Sequence, residues 1–345
     1  MNDIVTIVTP SYNQGQFIEE TINSVLSQEG DFFIQYIIAD GGSTDNSVEI
    51  IKKYEKLLKE EKYPVRCKGI EYIWWSRKDR GQSHAINQGF KIAKGDILAW
   101  INSDDYYEPG AFDFVLKKFK ENPEVDFIYG DVYIVDQNKK RKELSRSKQG
   151  GFDSFFAEKY TIHQPSTFYT KRIIEKVGLL DENLHYFMDR DLWFRILKIT
   201  KSLYFQKPLS NFRIWENSKT SPYQEKRVLH EKKTLLNNFY LIDNDVKAYS
   251  YESMIEDLEY LIRKCKEMLQ EYPYIHALYL RHLGTMKLLS GYRKESLTYF
   301  ELSIKIYPSI RNILTFLSSL LGRRFYWYLL CLKRKIRNLL TKTWI

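Results

Sequence analysis

The sequence predicts an α/β fold built on a mostly parallel sheet, followed by a helical C-terminal region. Residues 1–135 alternate short apolar runs with helical patterns, which is typical of strand–helix–strand units. One run, Gly95–Ile101, ends close to two adjacent carboxylates, Asp104 and Asp105, as expected of a buried strand that opens into a site. Beyond about residue 220, apolar residues recur at helical spacing with few breakers.

Each element of residues 1–135 is predicted from a local pattern. The strands are the apolar runs at 4–8, 36–40, 70–75, 95–101 and 127–135. The helices are the amphipathic or charged segments at 17–28, 46–62 and 81–93. Strands that alternate with helices in this way form parallel sheets.

Composition limits the classes of protein. The 345 residues are 43% apolar, enough for one large domain or two, and 15% aromatic, which suits both a core and a sugar-binding site. Cys67, Cys265 and Cys331 are widely separated, so they predict a reducing compartment, with neither a disulfide framework nor metal-ligand spacing. The first residues enter a strand directly without the pattern of a signal peptide, so a cytoplasmic location is expected.

Four predicted strands end in polar or glycine-rich segments. These segments are Thr9–Asn13, Asp40–Asp45, Asp79–Gln82 and Asn102–Asp105. In open α/β sheets, ligands bind at the carboxyl ends of the strands. Four such ends along one sheet edge therefore predict a nucleotide site.

The residue types at these ends have separable chemistry. Tyr12 can stack on a base, Asp40 can accept a hydrogen bond from an imide N–H such as that of uracil, and Arg80 offers a planar donor fork. The alternative is that Pro10, Asn13 and the Gly-Gly-Ser-Thr-Asp segment are ordinary turns and helix caps. No loop matches a dinucleotide-binding glycine pattern or a P-loop, which disfavours dehydrogenases and kinases.

Asp104 and Asp105 predict a metal site. Adjacent carboxylates repel, and burying them is costly unless a cation or hydrogen-bond donors compensate. Hard divalent cations are commonly held by one or two carboxylates together with substrate phosphates. The pair therefore predicts Mg²⁺ or Mn²⁺ on a diphosphate, and the alternative is a turn or helix cap before Glu108-Pro109-Gly110.

Taken together, the four segments resemble, in order and spacing, the motifs of bacterial family 2 glycosyltransferases, which have the GT-A fold. The resemblance covers roughly residues 1–220. It implies transfer of a sugar from a nucleotide-sugar donor, with a divalent metal on the diphosphate. The implied donor-binding residues are Thr9, Pro10, Tyr12, Asn13, Asp40, Gly41, Asp79, Arg80, Gly81, Gln82, Asn102, Ser103 and Arg213.

The resemblance also implies a metal ligand. Asn102-Ser103-Asp104 occupies the place of the family's DxD motif, with Asp104 as the ligand and Asp105 as either a supporting carboxylate or a cap for the helix from Gly110. Asn102 departs from the usual first aspartate, so it would face ribose and metal affinity would be weaker. Trp215 stands where relatives often have histidine, and Arg213 pairs with phosphate or is a surface arginine.

Residues 136–220 are expected to form the acceptor half, with His163, Gln164 and Trp193 on the acceptor side. Residues 162–169 are predicted to form a strand that enters the site, and His163 has a purely structural role as its alternative. Leu192, Ile196 and Ile199 share one helical face, so a helix is predicted to begin near residue 189.

The resemblance places the catalytic base at the front of that helix. It implies Asp189 as the base and Asp191 as the runner-up, while Met188 stands where relatives usually have glutamate. An inverting transfer needs one carboxylate to accept the proton of the attacking hydroxyl. The alternative is that either aspartate merely favours the helix N-terminus.

The C-terminal third is predicted to be a helical extension, residues 221–308, with one tetratricopeptide-type hairpin. Residues 309–345 form a tail with eight basic and no acidic residues, and the rest of the chain is nearly neutral. This distribution argues against a nucleic-acid-binding body and for an anionic partner of the tail. Its apolar blocks are too short to span a bilayer, so we expect it to lie on the inner face of the cell membrane, with packing on the body as the alternative.

The predicted function is inverting, metal-dependent transfer from a nucleotide-sugar, with UDP favoured, to a glycan or lipid-linked acceptor in surface polysaccharide biosynthesis. One rival is a sugar-nucleotide nucleotidyltransferase, which needs a glycine-rich phosphate loop that residues 4–16 lack. The other rival is an inactive scaffold, suggested by Asn102, Met188 and Trp215.

Overall fold

The structure is a computed structural model that describes residues 3–156, 161–215, 218–219, 252–264, 270 and 272–320. The chain divides into two compact units, residues 1–215 and residues 216–345. The domain boundary predicted near residue 220, residues 221–251 of the predicted helical extension and residues 321–345 of the tail lie outside the described residues.

The first unit contains one nine-stranded sheet with helices packed against it. The described strands are Ile4–Ser11 (β1), Gly30–Asp40 (β2), Cys67–Ser76 (β3), Ile97–Trp100 (β4), Tyr106–Tyr107 (β5), Phe127–Val135 (β6), Arg141–Ser145 (β7), Thr167–Thr170 (β8) and Ser202–Arg213 (β9). The described helices are Ile18–Leu26 (α1), Ser47–Lys59 (α2), Gln82–Lys91 (α3), Ala111–Glu121 (α4), Phe152–Phe156 (α5), Lys171–Val177 (α6) and Met188–Leu197 (α7).

The sheet has a parallel half and a mixed half. The strand order is β3-β2-β1-β4-β8-β6-β9-β5, with β7 beside β6. The first four strands are parallel, as predicted. Beyond β4 the strand β8 enters antiparallel and pairs with β6, which in turn is parallel to β9 and antiparallel to β7.

The core is continuous across the two halves of the sheet. Trp100 on β4 stacks on Tyr169 of β8 with ring centroids 5.7 Å apart, and Tyr169 stacks on Phe127 of β6 at 5.2 Å. On the parallel half, α3 lies directly on β1, because a Cβ on Gly89 would come within 2.6 Å of Val8. This close approach packs the last turn of α3 against β1.

Two features of the mixed half differ from the sequence prediction. The strand predicted at residues 162–169 is shorter, because a 3₁₀ turn at Gln164–Ser166 with Pro165 in its first positions precedes β8. The long strand β9 was not predicted, and its pairing with β6 shifts register on either side of Asp131, close to Pro208. The first difference places Gln164 in a turn, with His163 just before it, rather than in a strand.

The second unit is helical in its described part, so the predicted helical C-terminal region is confirmed. Its helices are Glu252–Lys264 (α8), Pro273–Leu289 (α9), Arg293–Ile306 (α10) and Ile310–Leu320 (α11). The helices α9 and α10 pack closely, since a Cβ on Gly284 would come within 2.8 Å of the Phe300 ring. Among the helices described in either unit, none has the length and apolar character needed to cross a membrane.

Candidate active site

The carboxyl ends of the parallel strands bring the four polar segments to one edge. In the register of the sheet, Ser11 at the end of β1 lies opposite Asp40 at the end of β2, and Asp40 lies opposite Ser76 at the end of β3. On the other side of β1, Val8 lies opposite Trp100, the last residue of β4. The loops that follow these strands therefore begin side by side.

Tyr12, Gly41 and Asp79 meet at this edge. The Tyr12 side chain is 61% exposed. A Cβ on Gly41 would lie 3.0 Å from Oδ2 of Asp79 and 3.5 Å from the Tyr12 ring, so bare backbone separates the two side chains. An aromatic ring beside bare backbone and a carboxylate is a suitable surface for a planar base.

Asp40 organises the loop that follows it. The residue is buried, and its Oδ2 accepts hydrogen bonds from the Gly42 and Ser43 amides at 3.1 and 2.9 Å and from the Ser76 hydroxyl at 2.6 Å. Its Oδ1 accepts one bond, from the Ser43 hydroxyl at 2.5 Å. Because a carboxylate oxygen has two acceptor positions, only Oδ1 retains capacity for an imide N–H.

Asn13 ties the first loop to the second. Its side-chain Oδ1 accepts a hydrogen bond from the Thr44 backbone N–H at 2.8 Å, and its own backbone N–H donates to the Ser43 hydroxyl at 2.8 Å. Thr9 and Pro10, by contrast, are buried residues inside β1, and the Thr9 hydroxyl bonds the Tyr36 hydroxyl at 3.0 Å. The side chain of Thr9 therefore lies in the sheet and does not reach the edge.

The third loop is held in shape by its own aspartate. Asp79 Oδ1 accepts the amide of Gly81, whose φ of +114° is favourable only for glycine. The Arg80 guanidinium pairs with Glu182 at 2.5 Å and stays largely exposed. Glu182 was not predicted as a site residue, because nothing in the sequence links it to a loop about 100 residues away.

Asn102 connects three segments. Its Oδ1 accepts a hydrogen bond from Gln82 at 2.7 Å, and its Nδ2 donates to Gln164 Oε1 at 3.3 Å. Gln164 in turn donates to the backbone oxygen of Trp100 at 2.9 Å. The two predicted donor-binding residues and the predicted acceptor residue Gln164 thus form one chain of hydrogen bonds. Ser103 is buried beside them.

Asp104 and Asp105 differ in environment. Asp105 is buried, and its Oδ1 accepts the backbone amide of Arg213 at 2.8 Å. Burial, and secondly the charge of Asp104, raise its pKa well above the usual range. Burial also raises the pKa of Asp104, which keeps some exposure and accepts a hydrogen bond from Trp215 Nε1 at 2.9 Å. The Asp105 carboxylate accepts hydrogen bonds from Arg213 and Asn102 and not from the first turn of α4, so the alternative that it caps that helix is wrong.

The Asp104 carboxylate suits a cation that also binds a diphosphate. Burial raises both carboxyl pKa values and the charge of Arg213 offsets only part of that effect, so a divalent cation would stabilise the ionised pair. In the part of the chain that the structure describes, no group of three or more His, Cys, Asp or Glu is placed to hold a metal ion. A cation at Asp104 would therefore need further oxygen ligands, which phosphates and water provide.

Arg213 is fully buried, so the alternative of a surface arginine is wrong. Its Nε donates to the backbone oxygen of Asp104 at 2.7 Å, and its Nη1 donates to backbone oxygens of Asp136 and Gln137 at 3.2 and 3.0 Å. Its Nη2 pairs with Glu20. The guanidinium is thus bound to protein oxygens and holds the Asp104 turn, and it does not extend into the open edge.

The first turn of α7 contains the two candidate bases. Asp189 Oδ1 accepts the Arg190 amide at 2.7 Å. Asp191 is buried and pairs with Arg195 at 3.0 and 2.9 Å, and Arg195 also binds the backbone oxygens of residues 177–179. The Asp191 carboxylate is therefore already engaged in an ion pair. Trp193 is buried as well, with Nε1 donating to the Tyr169 hydroxyl at 2.8 Å, so its indole packs in the core.

Hydrogen bonds join the start of α7 to α3, which follows the third loop. The Ser83 hydroxyl contacts Met188 Sδ at 2.9 Å and the Leu184 backbone oxygen at 3.1 Å. Asn87 donates to the Leu180 backbone oxygen at 2.9 Å. The segment before Asp189 is thereby fixed to the donor-binding half of the unit.

His163 lies beside Ser145, with Nε2 and the hydroxyl 3.1 Å apart. Burial lowers the pKa of His163 to about 4, and the charge of Asp131 offsets only part of that effect. The imidazole is therefore neutral at pH 7. The neutral His163 thus lies next to Gln164, the residue that reaches Asn102.

The chain is similar to several known proteins. The chain is 28% identical to a glycosyltransferase of Rickettsia typhi over 59% of this chain and 61% of that protein, and 26% identical to one of Methanocaldococcus jannaschii over 56% and 64%. The match thus spans less than two thirds of the length of either relative.

Two solved structures share the fold. Staphylococcus aureus TarS 1–349 in complex with UDP-GlcNAc has a TM-score of 0.53 at 16% identity, over 92% of this chain and 91% of that one. The mannosyltransferase PcManGT of Pyrobaculum calidifontis, in complex with GDP-Man and Mn²⁺, has a TM-score of 0.50 at 13% identity, over 99% and 87%. The predicted GT-A fold is confirmed. Because the family model of glycosyl transferase family 2 matches residues 6–178, half of the sequence, the chain belongs to that family.

Proposed function

We propose that this chain is an inverting, metal-dependent glycosyltransferase that transfers a sugar from a UDP-sugar to a glycan or lipid-linked acceptor in surface polysaccharide biosynthesis. The observation that carries the proposal is the single sheet edge at which Tyr12, Asp79, Asn102 and Asp104 follow adjacent strands, with the start of α7 fixed to α3 beside them. Such an edge provides a base-stacking ring, a candidate metal carboxylate and a candidate base within one unit.

The donor end of the site is proposed to hold the nucleotide. Tyr12 offers an exposed ring beside the bare backbone of Gly41, and Oδ1 of Asp40 retains one acceptor position for a base N–H. The complexes of TarS with UDP-GlcNAc and of PcManGT with GDP-Man support a nucleotide-sugar as donor. The acceptor position on Asp40 favours uracil, whose N3–H is a donor.

A divalent cation, Mg²⁺ or Mn²⁺, is proposed to bind at Asp104. When bound, it would neutralise charge on the leaving diphosphate. Two residues of this chain orient Asp104: Trp215 donates a hydrogen bond to one carboxylate oxygen, and Arg213 donates one to the backbone oxygen. The presence of Mn²⁺ in the PcManGT complex supports this cation class.

Asp189 is proposed as the base that accepts the proton of the acceptor hydroxyl. The runner-up, Asp191, is less suited to this role, because its carboxylate is buried and paired with Arg195. A carboxylate that takes the proton while the hydroxyl attacks the face opposite the leaving group gives inversion. His163 and Gln164 are proposed to border the acceptor, Gln164 through its bond to Asn102.

The test compares Asp189→Asn with Asp191→Asn. We expect Asp189→Asn to lower turnover by about 10²- to 10⁴-fold while UDP affinity stays unchanged, because only proton transfer is lost. Asp191→Asn should instead lower the free energy of unfolding by about 1–3 kcal/mol, since it weakens the bond to Arg195. Nucleotide release from UDP-, GDP- and dTDP-sugars with Mn²⁺ measures turnover, and urea unfolding measures stability.

Normal transfer by Asp189→Asn would show that the base is another group. If the unmodified chain releases no nucleotide from any donor in that panel yet binds UDP with Mn²⁺, the inactive scaffold is the correct interpretation. Release from GDP- or dTDP-sugars alone would disprove the preference for UDP and leave the reaction class standing.

A further inference from the structure

The helix α11 is packed with its polar side inward. Its buried residues are Asn312 and Ser319. Apart from Phe316, its large apolar residues face outward instead, with Ile310 79%, Leu314 60% and Leu317 51% exposed. At 3.6 residues per turn, these three fall on one side of the helix and the two buried polar residues fall on the opposite side. This arrangement is the reverse of a helix that packs on a core and faces water.

Specific contacts hold α11 in this orientation. Asn312 Nδ2 donates to the backbone oxygen of Tyr307 at 2.9 Å, and Phe316 packs on Leu288 and Phe300 between α9 and α10. At the far end, Arg293 donates to the backbone oxygen of Leu320 at 2.8 Å. The helix is therefore anchored by both termini and by its inner side, and its apolar side is presented outward.

We propose that the outward face of α11 is a membrane-binding surface that inserts into the headgroup region of an anionic bilayer. The face consists of Ile310, Ile313, Leu314, Leu317 and Leu320. Membrane-surface helices of this kind combine inserted apolar side chains with basic residues that attract anionic lipid. Residues 309–345 contain eight basic and no acidic residues. This inference does not depend on the proposed reaction.

The charge of the tail favours a lipid surface over a second copy of the chain as the partner of this face. A second copy of the chain would bring a second tail with eight basic residues and no acidic one, and like charges repel. An anionic bilayer instead offers apolar volume and negative charge together. The sequence after α11 also contains Phe325, Tyr326, Trp327 and Tyr328, residue types enriched at the lipid headgroup level.

The experiment is co-sedimentation of the full chain with vesicles of phosphatidylcholine alone or with phosphatidylserine added. We expect binding that requires phosphatidylserine and weakens at high salt. The double variant Leu314→Ser/Leu317→Ser should bind about tenfold more weakly or worse, because it removes two inserting side chains. The control Val65→Ser/Ile199→Ser alters two exposed apolar residues of the first unit and should bind like the unmodified chain.

Circular dichroism and urea unfolding must show that both double variants fold, which is expected since all four positions are exposed. Equal binding by the α11 variant and the unmodified chain would overturn the proposal. Vesicle binding that is equally strong with and without phosphatidylserine would also overturn the proposal. Absence of vesicle binding, together with self-association that Leu314→Ser/Leu317→Ser abolishes, would assign the face to a second copy. If the chain binds vesicles only after residues 321–345 are removed, the rest of the tail shields the face, and this result too would overturn the proposal.

Discussion

Replacing Trp215 by phenylalanine removes a single hydrogen bond from Asp104 and preserves the neighbouring ring contact. Trp215 Nε1 donates to Asp104 Oδ2 at 2.9 Å, and the Trp215 ring packs edge-on against Phe17 with centroids 5.0 Å apart. Phenylalanine can keep the second contact and cannot make the first. The variant therefore isolates the effect of one N–H on the proposed metal ligand.

The size of the effect follows from two independent considerations. A hydrogen bond to a charged group contributes about 1.5–3 kcal/mol. Loss of a group that orients a metal ligand typically costs about 10- to 100-fold in metal affinity, which corresponds to about 1.4–2.8 kcal/mol. The two ranges agree, so we expect Trp215→Phe to weaken Mn²⁺ binding by about 10- to 100-fold. The Arg213 bonds to the same turn remain, which keeps the backbone of Asp104 in place.

Calorimetric titration of Mn²⁺ in the presence of UDP measures this change without any need for turnover. The matched control is Trp193→Phe, which removes an indole N–H bond of similar length, 2.8 Å to the Tyr169 hydroxyl, inside the core. The control should lower the free energy of unfolding by about 1 kcal/mol and leave Mn²⁺ affinity unchanged. Equal or tighter Mn²⁺ binding by Trp215→Phe would refute the reasoning, because the indole would then compete with the cation or Asp104 would not be a ligand.

Two further predictions concern stability. Gly89→Ala should lower the free energy of unfolding, measured in urea, by about 1–3 kcal/mol, because the new Cβ would lie 2.6 and 2.7 Å from the Val8 methyl carbons. The control Gly151→Ala should change this free energy little, because no neighbouring atom lies within 4 Å of the new Cβ. His163, whose folded pKa is about 4 against 6.5 unfolded, is neutral in the fold, so its contribution to stability is constant above pH 6.5 and is lost as the pH falls from 6.5 to 4. Relative to His163→Asn, the unmodified chain should therefore lose about 2–3 kcal/mol between pH 7.5 and 4.5 in urea unfolding, and parallel pH curves would contradict this.

The parallel half of the sheet could be predicted from the sequence because its strands are local apolar runs with local boundaries. In the mixed half, β6 and part of β8 could be predicted, but β5 and β9 could not, since β5 has two residues and the position of β9 depends on its pairing with β6. The same distinction holds at the site. The polar strand ends are visible in the sequence, but the burial of Arg213 depends on Glu20, which lies 193 residues away. The packing of Trp193, which lies on α7, likewise depends on Tyr169, which lies on β8.

The polar residues of the site divide into those bonded within the loops and those that remain open. The carboxylates of Asp40 and Asp105 and the guanidinium of Arg213 are buried and bonded to neighbouring loops. Tyr12 is exposed, and Asp104 is partly so. Because buried polar groups are costly to leave unpaired, substitutions of Asp40, Asp105 or Arg213 should lower both the free energy of unfolding and the affinity for UDP. Substitution of Tyr12 should lower the affinity for UDP alone. Parallel measurements of unfolding and UDP binding therefore distinguish residues that hold the loops from residues that contact the donor.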